Sequence, residues 1–180
     1  MMERILSAPT SLWSLEPIGR RPAAMKFTVV AVGKLKERFW QDACAEYLKR
    51  LQPYAHTTVR EVPDVDPARA GGVAAARDRE GAAVLAALPA QTHVILLDIG
   101  GKERSSVEFS QRIDALCLQG KSDIAFAIGG SDGVSEGVRA RADETLSFGR
   151  ITLPHNLARV VLLEQLYRAM KISHGEPYHK

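Results

Sequence analysis

The chain has 180 residues, 46% of them hydrophobic and 25% charged, with a formal net charge of +3. This length suits one compact core, this balance is ordinary for a soluble globular domain, and no apolar run approaches the roughly 20 residues that span a bilayer. A small positive excess names no anionic partner by itself, but its distribution is uneven: Arg150 to Lys180 holds five Arg or Lys against two Glu, and three of the five His.

In chain order, residues 1–24 carry Pro9, Pro17 and Pro22 without sustained periodicity, and lack the basic start and apolar stretch of a signal peptide. They are expected to be a disordered leader or the product of a mis-assigned start, with the folded domain covering residues 25–180. At Met25 the pattern changes to MKFTVVAVG, a β-branched strand over Lys26 to Val32 closed by glycine. The following KERFWQDACAEYLKRL sets Phe39, Ala43, Tyr47 and Leu51 at helical spacing, with Trp40, Cys44 and Leu48 alongside, and Pro53 stops it. TTVREV alternates as a half-buried strand, and an alanine-rich helix follows over Ala74 to Leu88.

HVILLD, His93 to Asp98, is a continuous apolar strand of the kind that helices cover on both faces. GGKERSS, Gly100 to Ser106, is read as a loop that feeds a helix to about Leu118, and IAFAI, Ile124 to Ile128, is a second buried strand followed at once by Gly129, Gly130 and Gly133. A short helix over Ser135 to Ala142 leads to RITLP, Arg150 to Pro154, read as a short last strand. The final helix is expected over Leu157 to Ile172 with Asn156 as its N-cap, and Glu164 and Arg168 lie four apart on it. Strands alternating with helices throughout predict an α/β fold with a mostly parallel sheet flanked by helices. Cys44 and Cys117 fall in separate helices with no CxxC pair and no His at metal-ligand spacing, so they read as core thiols of a cytoplasmic protein.

Ligands of open α/β sheets sit beyond the carboxyl ends of the strands, where LLDIGGK, IGGSDGVS and ITLPHN are the loops of interest. GGxxG is not the GxGxxG dinucleotide fingerprint, and no GK[ST] phosphate loop occurs, so nicotinamide and nucleoside-triphosphate chemistry lose ground. Whether these glycines hold a ligand or only make tight turns is not decided by spacing. The last helix is apolar almost all round, at Val160, Val161, Leu162, Leu163, Leu166 and Tyr167. Burial by a partner subunit and burial by one large core both account for that. The chain finishes on GEPYHK, and an aromatic ring and an imidazole are unusual in a fraying tail.

Taken together, MKFTVVAVGKLKERFW, VILLDIGGK, AIGGSDGV and ITLPHNLARVVLLEQLYRAMKISHGEPYHK resemble the RlmH family of ribosomal RNA methyltransferases, within the SPOUT superfamily, over Met25 to Lys180. The resemblance implies a C-terminal trefoil knot, a homodimer, and S-adenosylmethionine as methyl donor to N3 of a pseudouridine in large-subunit ribosomal RNA, within assembled ribosomes. It places the cofactor against Leu97, Gly129 and Gly130, and Phe148, Gly149, Arg150, Ile151, Thr152 and Leu153, held largely by backbone groups. Histidine suits the proton transfer that an imide nitrogen needs, which makes His179 and His155 the candidate bases; Tyr178 could stack on or hydrogen-bond the target base. Arg159, Arg168 and Lys180 are candidates for RNA phosphate contacts. A SPOUT methyltransferase of transfer RNA and a non-catalytic ribosome-binding factor are the alternative readings.

Overall fold

The computed structural model describes residues 25–178, so the expectations for the leader, His179 and Lys180 lie outside the described residues. Five strands, β1 (Met25–Val32), β2 (Ala55–Val62), β3 (His93–Glu103), β4 (Asp123–Ile128) and β5 (Glu144–Ser147), form one sheet in the order β2-β1-β4-β3-β5. Every pairing is parallel. The helices are α1 (Arg38–Leu51), α2 (Pro67–Ala70), α3 (Val73–Ala87), α4 (Ser106–Leu118), α5 (Glu136–Arg141) and α6 (His155–Ser173).

The period-2 pattern of β1 explains the layering. Phe27, Val29 and Ala31 point into the larger core, with Ile124, Phe126 and Ile128 of β4, beneath α1, α4 and α6. Val30 and Val32 point the other way, with Leu96 and Ala127, beneath Val84 of α3 and Val138 of α5. Strands apolar on both faces are what a helix-sandwiched parallel sheet requires. Local signals place the helix starts. Ser105 caps α4 in a reciprocal box with Glu108, at 3.2 Å for Glu108 N–H to Ser105 Oγ and 2.7 Å for Ser105 N–H to Glu108 Oε2. Ser135 caps α5, its hydroxyl accepting from Val138 N–H.

Four expectations change. Gly100 to Glu103, expected in a loop, belong to β3, because Lys102 and Glu103 pair with β5. The last strand is Glu144–Ser147, and Arg150 to Pro154 form a loop, because Gly149 at φ +107° turns the chain away from the sheet. Helix α6 starts at His155, behind the fixed φ of Pro154, and Asn156 lies inside the helix without capping it. Phe39 does not join the core face of α1; it is 62% exposed. The predicted Glu164–Arg168 pair is present, with Arg168 Nη2 to Glu164 Oε1 at 2.6 Å. Cys44 is buried under α6, and burial, as the largest influence, pushes its thiol above the ordinary value.

Candidate cofactor site

The three loops singled out in the sequence converge. Leu97 ends the first run of β3, the chain then bulges out through Asp98 to Gly101, and Lys102 and Glu103 return to pair with β5. Gly129 and Gly130 leave β4 beside this bulge, and Ser147 to Pro154 leave β5. Between them lies an open pocket of about 530 Å³ lined by Leu97, Gly129, Gly130, Phe148, Gly149, Ile151, Thr152, Leu153 and His155. That volume is within the range of about 300 to 1,000 Å³ usual for small-molecule sites. Arg150 is exposed and does not line it.

Close backbone approach shapes the walls. A Cβ on Gly129 would stand 2.5 Å from Val134 Cγ1 and 2.9 Å from Gly133 O, and one on Gly101 would stand 2.8 Å from the Leu146 backbone. The β5 loop is pinned by Ser147, whose Oγ accepts from Gly149 N–H at 3.1 Å and lies 3.1 Å from the carbonyl oxygens of Ile99 and Gly149. That buried hydroxyl ties two of the three loops together. The charged part of the wall was not foreseen: Asp98 is ion-paired with Arg139 of α5 and accepts from Gly100 N–H at 2.9 Å. The paired charges leave the floor mostly apolar, through Leu97, Ile128, Leu153 and Ala158. Asp98 stands in the quoted LLDIGGK, whereas nothing in the sequence points from Arg139 or Ser147 to this site.

His155, the first residue of α6, lines the pocket and packs against the end of β1; its Nε2 is 3.0 Å from where a Cβ on Gly33 would stand. Arg159, one turn on, is 0% exposed, so it lacks the surface placement that a phosphate contact demands. Its Nη1 pairs with Glu61 Oε1 at 2.5 Å and its Nη2 donates to Gly33 O at 2.9 Å, bracing the β1 loop beneath His155. Arg168 is held to Glu164, and its guanidinium lies over the Tyr178 ring at 4.7 Å.

Tyr178 does not line this pocket. Its hydroxyl reaches Glu164 Oε1 at 3.3 Å and its ring packs edge-on against Tyr167 at 4.8 Å. Burial, followed by the Glu164 carboxylate, pushes its phenol above the ordinary value, so near neutral pH it carries its proton. Ten residues of helix separate Ala158, in the pocket wall, from Arg168, in contact with Tyr178, which is about 15 Å along the axis. Within one chain, pocket and Tyr178 stand apart.

The family model described as "Predicted SPOUT methyltransferase" matches residues 25–179. This chain belongs to the SPOUT methyltransferase family. Among relatives, "Ribosomal RNA large subunit methyltransferase H" of Listeria welshimeri is 51% identical over 159 residues, covering 87% of this chain and 100% of its own. The protein of the same name from Desulfitobacterium hafniense is 50% identical over 159 residues, covering 87% of this chain and 99% of its own. Among solved structures, the SpoU methyltransferase AviRb of Streptomyces viridochromogenes, in complex with the cofactor AdoMet, has a TM-score of 0.41 at 14% identity, covering 89% of this chain and 65% of its own. This SPOUT chain has, among its described residues, no helix long and apolar enough to cross a membrane.

Proposed function

We propose that this chain is a cytoplasmic, homodimeric enzyme that methylates N3 of a pseudouridine in large-subunit ribosomal RNA, with S-adenosylmethionine as donor and the assembled ribosome as the setting. The name of the half-identical relatives supports ribosomal RNA as the acceptor. The observation that carries the reading is the convergence of the β3, β4 and β5 loops on one pocket with glycine-built walls. Leu97, Ile128, Ile151 and Leu153 suit a purine ring, and the glycine loops expose backbone N–H and C=O groups for the polar parts of the cofactor. On this reading residues 25–180 are the catalytic domain, and its C-terminal part is threaded into a trefoil knot.

Bound S-adenosylmethionine supplies an electrophilic methyl on a sulfonium, which needs no metal. The acceptor nitrogen lies between two carbonyls and is nucleophilic once its proton is lost, so the protein must take a proton and align two reactants. Alignment in near-attack geometry can lower the barrier by several kcal/mol, and a general base contributes about 10² to 10⁴-fold. His179 is assigned as the base. The neutral Tyr178 phenol is suited to stacking and donating. His155, wedged between Gly33 and the pocket, orients the rim. Arg168 is assigned to RNA phosphates, with the Glu164 pair released on binding, and Lys180 is assigned the same role by residue type; Arg159 serves as an internal brace.

The separation of Tyr178 from the pocket of its own chain supports a shared site, in which the tail of one subunit completes the pocket of the other. Half-buried Leu157 and Val161 of α6 are apolar positions available for that interface. The test is transfer of labelled methyl from S-adenosylmethionine to large ribosomal subunits, naked ribosomal RNA and transfer RNA in parallel, with wild type and His179→Ala. The expected label is on a pseudouridine of the large subunit, with transfer slowed about 10²-fold or more in the variant and cofactor binding kept. Label on transfer RNA alone moves the substrate, absent cofactor affinity leaves a binding factor, and an unslowed variant removes His179 as base.

A further inference from the structure

The rim of the pocket continues past His155 into a segment that the cofactor site does not use. Gly33, against which His155 packs, closes β1, and the next residues project from the same carboxyl edge of the sheet. Lys34, Lys36 and Arg38 are all exposed, with Glu37 the one acid among them. Among the described residues no carboxylate is ion-paired with Lys34 or Lys36, while Arg38 meets Asp42 at 3.6 Å with both side chains largely in water. Phe39 follows in the first turn of α1, 62% exposed, its ring 4.8 Å from that of Trp40 and tilted by 50°.

Phe39 presents an exposed ring beside these cations, open to stacking. The segment is held in place: Leu35 N–H donates to Glu61 Oε1 at 3.1 Å, and Gln41 Nε2 donates to Leu35 O at 2.7 Å. Because Glu61 also holds buried Arg159, the segment and the start of α6 share one brace. Exposed cations followed by an aromatic ring, on a braced loop and the first turn of α1, match single-stranded nucleic acid, which presents phosphates and unpaired bases together. A protein partner fits less well, since the cores of protein interfaces are depleted in lysine.

We propose that Lys34, Lys36, Arg38 and Phe39 are a contact for the substrate RNA, with the cations facing phosphates next to the target and Phe39 stacking on an unpaired base. The inference rests on the methyltransferase reading above and names how that enzyme grips its substrate. Equilibrium binding to purified large ribosomal subunits tests it, for wild type, Phe39→Ala, Phe39→Trp and Lys34→Gln with Lys36→Gln. The expected result is a Kd raised about tenfold by Phe39→Ala and restored by Phe39→Trp. The double Lys variant should bind more weakly and lower the slope of log affinity against log salt by roughly 1.5, for two lost phosphate contacts. S-adenosylmethionine affinity and thermal midpoint should stay at the wild-type values, since these side chains are exposed. Unchanged affinity and salt slope overturn the proposal, as does dissociation of the dimer by Phe39→Ala, which would give the ring to a subunit interface. Binding is read without turnover, so a failure here stands apart from a failure of the methyl-transfer reading.

Discussion

At the scale of single residues, Gly129 shows how a side-chain-free position makes a site. Its missing Cβ leaves the room that Val134 and the Gly133 carbonyl already occupy, so a methyl group there forces the β4 loop outward. Gly129→Ala is therefore expected to weaken S-adenosylmethionine binding by about tenfold or more, measured by calorimetry; an unchanged Kd would mean that the loop does not approach the ligand. The glycine pair was legible in the sequence because the residue type itself carries the signal. Arg159 was not. A lone arginine on a helix reads as surface charge, and its burial depends on Glu61, 98 positions away, and on the Gly33 carbonyl. Phe39 failed in the opposite direction, since helical spacing with Tyr47 and Leu51 predicts a core ring but cannot say how far the core extends.

At the scale of elements, the buried strands and the α4 capping box were readable because their signals are local and strong. Strand β5 was missed because ETLS is four residues, three of them polar, and gains strand geometry only by pairing with β3. RITLP has the β-branched residues and lacks the partner. The start of β5 is also where the molecule concentrates charge. Glu144 accepts from Arg112 Nε at 3.1 Å, lies 2.7 Å from His93 Nε2, and meets Arg104 at 3.3 Å. Burial alone would raise its carboxyl, but the Arg112 and His93 hydrogen bonds and their charges outweigh burial and hold it below the ordinary value. A depressed folded-state pKa contributes stability that is present above the unfolded value of about 4.3 and is lost as pH falls through the folded value. Thermal midpoints followed downward from neutral pH should drop below about pH 4 in wild type. In Glu144→Gln, which removes a charge-assisted bond and costs about 2 kcal/mol at neutral pH, the acid drop should be smaller. Parallel curves would show that Glu144 carries none of the acid sensitivity.

At the scale of the whole molecule, the parallel sheet delivers three loops to one edge, and α6 runs from that edge to the tail. Pocket and Tyr178 therefore sit at different points along one long helix, and on the proposed dimeric reading a second copy of α6 brings the tail of one subunit to the pocket of the other. The apolar sequence of α6 made a partner surface plausible, but what a helix does with its remaining half-buried face depends on the neighbour it meets. The most direct measurement of the central claim, a methyltransferase site shared between subunits, is labelled methyl transfer by a mixed dimer. One subunit carries Gly129→Ala and keeps its tail; the other keeps its pocket and lacks the tail from Tyr178. With S-adenosylmethionine held well below the Kd of the Gly129→Ala pocket, neither homodimer should transfer at more than a small fraction of the wild-type rate. The account predicts that the mixed dimer recovers roughly half of wild-type transfer, from the one pocket that is intact and completed by its partner. A mixed dimer as inactive as its parents would contradict it.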